Sequence, residues 1–137
     1  MIARLGGLVA LSLLVSACAT DALESALEPT PPPLLIEGVV IRNQLPYTIA
    51  DVMIEAPATG AFAGCGNIIP RTDCSTSFPE TDYQGNAVLI RWREHGEAKQ
   101  LPEFGIEVPD DLEPGVPAWV EVVVFAPGQA GARLIQP

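Results

Sequence analysis

The pattern of apolar and polar positions changes character along this chain. Residues 5–15, LGGLVALSLLV, form one uncharged apolar run behind a short start, MIAR, that carries Arg4. From residue 35 the pattern becomes a series of short runs separated by turn residues. IADVMIEA (49–56) alternates, with Val52, Ile54 and Ala56 on one side and Asp51, Met53 and Glu55 on the other. A period of two puts successive side chains on opposite faces of a strand. AVLIRWR (87–93) repeats the pattern, with Val88, Ile90 and Trp92 opposite Arg91 and Arg93. LIEGVVIRN (35–43) alternates imperfectly but is rich in branched residues, and QLPYT turns the chain after it. AWVEVVVF (118–125) is nearly apolar on both faces, the mark of a strand through the centre of a sheet. FGIEVP (104–109) reads as a further short strand. APGQAG (126–131) reads as a turn that sends ARLIQP back as a hairpin partner.

Short strands with turn chemistry between them predict an all-β domain over residues 35–137, an antiparallel β-sandwich of about six to eight strands. No helix of ten residues is expected there. The chain holds 14 prolines, and an interior proline costs a helix about 3 kcal/mol.

The chain has 137 residues and a formal charge of −10, from 7 Lys+Arg and 17 Asp+Glu. That length suits one domain. The acidic balance disfavours nucleic acid, because too few cations are available to neutralise phosphates, and it repels anionic lipid head groups.

A cationic start, a short apolar stretch and small residues before a break form a secretory signal. The apolar stretch is too short for a spanning helix, which needs about 20 residues. Its end, Val15-Ser16-Ala17-Cys18, resembles the bacterial lipobox: an aliphatic residue, two small residues, then cysteine. The resemblance implies a signal peptide at 1–17, cut before Cys18, and diacylglyceryl attachment to the Cys18 thiol. It also implies attachment to the lipid bilayer through the acyl chains. Ala19 follows the cysteine rather than aspartate. By analogy with enterobacterial lipoproteins that implies the outer membrane, facing the periplasm, rather than the inner membrane. Residues 18–34 then read as the lipidated cysteine and a proline-rich tether, because Pro29 and Pro31 to Pro33 impose extended backbone. At GVVIRNQLPYTIADVMIEAP (38–57) the sequence is similar to the opening hairpin of immunoglobulin-like or fibronectin-III-like domains of bacterial envelope proteins. That resemblance implies an immunoglobulin-like sandwich.

With Cys18 lipidated, Cys65 and Cys74 are the remaining thiols. Eight residues separate them, which fits neither a redox Cys-x-x-Cys centre nor a zinc knuckle. In an exported domain the expectation is a structural disulfide that pins a loop, with a metal site or free thiols as the alternatives. His95, in WREHGEAK, is expected in a solvated turn beside Gly96. Ser75 and Ser77 would have to meet it and a carboxylate to make a triad, and no catalytic residue is assigned. Glu103, Glu107, Asp110, Asp111 and Glu113 lack the alternating spacing of a calcium loop and read as a solvated acidic face. No metal site or cofactor is expected. Trp92 and Trp119 are expected in the core. These readings favour a non-enzymatic envelope module that binds an envelope protein, with a small-ligand or metal-ion carrier as the alternative.

Overall fold

The computed structural model describes residues 33–137. The expected signal peptide, Cys18 and most of the expected tether lie outside the described residues. The described chain is all β, with eight strands. They are β1 (Leu35–Asn43), β2 (Ile49–Ala56), β3 (Ala61–Cys65), β4 (Asp73–Asp82), β5 (Leu89–Glu94), β6 (Glu97–Gln100), β7 (Ala118–Ala126) and β8 (Gln129–Ile135). Sheet A has the order β4-β1-β7-β8 and sheet B the order β3-β2-β5-β6. Together they form an immunoglobulin-like β-sandwich.

The alternating runs fold as their pattern predicts. Val52 and Ile54 of β2 and Ile90 and Trp92 of β5 are buried, and Arg91 and Arg93 are exposed. Against them sheet A turns Val39 and Ile41 of β1, Val120, Val122 and Val124 of β7, and Leu134 of β8. Trp92 is 1% exposed and is among the largest fully buried side chains. β7 lies in the interior of its sheet, and β8 returns beside it through the Pro127–Gly128 turn.

Four findings depart from the sequence reading. The pairing is antiparallel except between β1 and β7, which run parallel. The segments 35–43 and 49–56 are not a hairpin: β1 and β2 belong to different sheets, and residues 44–48 cross between them. Residues 104–109 form no strand. Phe104 makes a single bridge to Val88, and the flanking Pro102, Gly105 and Pro109 oppose a continuing ladder. Trp119 lies on the outer face of sheet A, in register with Gly38, and donates through Nε1 to Glu37 at 3.3 Å. A Cβ on Gly38 would stand 2.6 Å from the Trp119 ring and 2.8 Å from the Thr76 carbonyl, so glycine is what lets the indole lie there.

Candidate functional site

The two ends of the sandwich differ in charge. β1 enters at Leu35 and reaches Asn43 about 26 Å further on, at ~3.3 Å per residue. At the entry end, the Leu34 carbonyl accepts from the Tyr83 amide, and the Tyr83 hydroxyl donates to the Ile106 carbonyl at 2.6 Å. These bonds fix the long segment 101–117 at that end. Gln136 holds its other half, bonding Glu113 and the Val116 carbonyl. Glu103, Glu107, Asp110, Asp111 and Glu113 are all exposed on this segment. They form an acidic surface where the described chain begins.

The far end is built from residues 44–48, 66–72, the His95–Gly96 turn and the Pro127–Gly128 turn. Asn43 ties it together. It is 1% exposed at the end of an inward-facing row. Its Nδ2 donates to the carbonyls of Tyr47 (2.8 Å) and Ile68 (2.9 Å), and its Oδ1 accepts from the Leu45 amide (2.9 Å). Glu94 does the same on the other side. This buried carboxylate accepts from Trp92 Nε1 at 2.9 Å and from the Gly128 amide at 3.0 Å, and the Tyr47 hydroxyl donates to it at 3.4 Å. Burial and the Glu94 carboxylate push the Tyr47 phenol above its ordinary value. His95 (φ +50°) and Gly96 (φ +78°) form the two-residue turn between β5 and β6, where positive φ at both positions matches the strand twist.

The outer face of sheet A carries the main charge network. Glu121, on β7, is nearly buried between two arginines. Arg42 Nε donates to it at 3.0 Å, and Arg133 donates through Nε and Nη2, each at 2.7 Å. Arg42 also reaches Asp73 at 2.7 Å. Burial pushes the Glu121 carboxyl up, but the hydrogen bonds and charges of Arg42 and Arg133 prevail and hold it below its ordinary value. Two shallow basins, of about 530 and 590 Å³, adjoin this network and share Arg42 and Gln44. Arg71 and Phe125 line the first; Glu121, Gly131 and Arg133 line the second.

Cys65 and Cys74 form a disulfide with Cα atoms 6.4 Å apart. It does more than pin a loop, because Cys65 ends β3 and Cys74 lies in β4, the edge strands of the two sheets. The bridge fastens one side seam of the sandwich at the far end. Towards the entry end the same seam opens as an apolar cleft of about 80 Å³, lined by Ile36, Ile54, Ala63, Tyr83 and Val88 among others.

Other sequence candidates stay apart. Ser75 and Ser77 lie on β4, on the outer face in the rows of Val40 and Gly38. His95 is in a turn of the other sheet, its ring centroid 4.2 Å from that of Tyr47. Among the described residues no group of three or more His, Cys, Asp or Glu is arranged to hold a metal ion. Sequence reasoning passed over the Arg42–Glu121–Arg133 network. A lone Glu inside an otherwise apolar strand was its one available signal. No family model, curated protein or solved structure matches the chain.

Proposed function

We propose that this chain is a lipid-anchored, periplasm-facing lipoprotein of a bacterial envelope, and that its sandwich is a non-enzymatic module that binds an envelope protein. The lipobox-like Val15–Cys18 and the proline-rich tether supply the anchor in this reading, with the outer membrane as its place. The observation that carries the binding half is the contrast between surfaces. The apolar cleft holds about 80 Å³, far below the ~300 Å³ at which small-molecule sites begin. The outer face of sheet A instead offers two adjoining open basins rimmed by arginine and phenylalanine.

Photo-crosslinking in intact cells tests this reading, with a photoreactive residue placed in turn at Phe125, Phe62 and Val108. All three side chains are large, apolar and more than half exposed. The expected result is capture of one defined envelope protein, dependent on Cys18. Capture of nothing, or the same pattern from a Cys18→Ala chain, would count against it. The cleft favours a second reading, a carrier for a very small apolar ligand. Saturable binding of such a ligand, abolished by filling the cleft with Ala63→Leu, would support that one instead.

A further inference from the structure

We infer that the far half of the outer face of sheet A docks an acidic segment of a partner protein, one with an apolar residue flanked by Asp or Glu; this rests on the binding-module reading above. Charge distribution is the first argument. The described residues contain six Lys and Arg, in a chain whose net charge is −10, and Arg42, Arg71 and Arg133 lie around this one face. Glu121 and Asp73 offset two of them. Arg71 is the surplus. It is exposed, and among the described residues it makes no hydrogen bond or ion pair. It is held at φ +56°, a backbone conformation uncommon for residues other than Gly, Asn, Asp and His. Such conformations gather at binding and switch sites.

The second argument is composition. Phe125 is 51% exposed beside Arg71. It rests against Gly131, which has no side chain to raise the surface there. Arginine and aromatic residues without lysine are what protein-interface hot spots are made of. The guanidinium fork matches a carboxylate in a two-point hydrogen bond. Arg42 has used Nε and Nη1, and Arg133 Nε and Nη2, so each keeps a free nitrogen for a further acceptor. The occupant therefore supplies carboxylates to Arg71 and to these free donors, and an apolar side chain to the Phe125 shelf.

The test uses the full chain, as cells process it, and fluorescence anisotropy of two labelled twelve-residue peptides. One has a Leu-Phe pair flanked by Asp and Glu; the other has Lys in place of the acids. The acidic peptide should bind, should weaken as salt rises, and should lose at least tenfold in affinity with Arg71→Asn and with Phe125→Ser. Asparagine tolerates the left-handed backbone, and both sites are exposed, so the thermal midpoint should not move. Arg93→Gln, on sheet B, should leave binding unchanged. Equal binding of the lysine peptide, no binding of the acidic one, or indifference to both variants would overturn the inference. If that happens while cellular crosslinks persist from Phe62 or Val108, the docking face is wrong and the binding-module reading stands. Loss of all crosslinks would remove the reading itself.

Discussion

Removing the Asn43 side chain should cost this domain a large fraction of its stability. In Asn43→Ala, the carbonyls of Tyr47, Ile68 and Ile69, the last 3.3 Å from Asn43 Nδ2, lose a donor, but not equally. Ile68 still accepts from the Ile49 amide (3.1 Å), and Ile69 still accepts from the Thr72 hydroxyl (2.9 Å). The Tyr47 carbonyl and the Leu45 amide are left without their partner. Each orphaned buried group costs about 1–3 kcal/mol. The Leu45 amide is buried but the Tyr47 carbonyl is only half-buried and counts at the low end, so the two together give roughly 2–4 kcal/mol, against a total of ~5–15 kcal/mol for a domain of this kind. At ~4–8 °C per kcal/mol the midpoint should fall by on the order of 10–30 °C. Urea unfolding followed by tryptophan fluorescence measures the energy. Hydrogen exchange at residues 66–72 should rise before global unfolding, because Asn43 joins that segment to β1. Asn43→Asp sharpens the test. It sets a carboxylate oxygen against the Tyr47 and Ile68 carbonyls, so it should be worse than alanine at neutral pH. Its pKa is raised in the fold, so part of the loss should return as pH falls and the carboxyl regains a proton to donate. A loss below about 1 kcal/mol in Asn43→Ala, or an aspartate milder than alanine at pH 7, would refute the reasoning.

The disulfide closes a sequence separation of 9, for which the chain-entropy model gives roughly 2–3 kcal/mol. Cys65→Ala with Cys74→Ala should therefore lower the midpoint while the β-type circular dichroism spectrum persists. Glu121 is held below its ordinary pKa, so its contribution is present above the unfolded carboxyl value and is lost as pH falls through and below about 4.3. Glu121→Gln should flatten the stability profile in that acid range. The effect should be small, because Arg42 and Arg133 are 43% and 70% exposed and water screens them. Gly38→Ala must displace either the Trp119 ring or the Thr76 carbonyl, and should destabilise by about 1–3 kcal/mol by overpacking, read from urea midpoints.

The strands that could be read from the sequence are those buried on at least one face. β1, β2, β5 and β7 each place branched side chains against the core, so burial imposed the alternation that the residues display. The strands that escaped notice are edges. β3 (AFAGC) is built of small residues, β4 begins DCSTS, and β6 is EAKQ. An edge strand pairs on one side only and is covered less, so its composition carries no strong pattern. Residues 104–109 show the converse: Ile106 is buried and Phe104 partly so, yet their backbone is held by the Tyr83 hydroxyl and one bridge rather than by a ladder. Pairing partners were not legible either. The parallel contact of β1 with β7 joins residues about 80 apart, and nothing local marks it. The same holds for the site. Arg42, Glu121 and Arg133 are 79 and 12 residues apart, and only the folded sheet shows that one buried carboxylate serves both arginines. Trp119 misled because a large aromatic in an apolar strand suggests the core, whereas glycine at position 38 makes room for it on the outer face.

The claim on which the functional account depends most is the anchor at Cys18. Mass spectrometry of the mature protein extracted from cell membranes tests it directly. The account predicts an N-terminal peptide beginning at Cys18 and carrying a thioether-linked diacylglyceryl group, lost together with membrane association in Cys18→Ala. A mature chain that begins elsewhere, or one with an unmodified Cys18 in the soluble fraction, would contradict it.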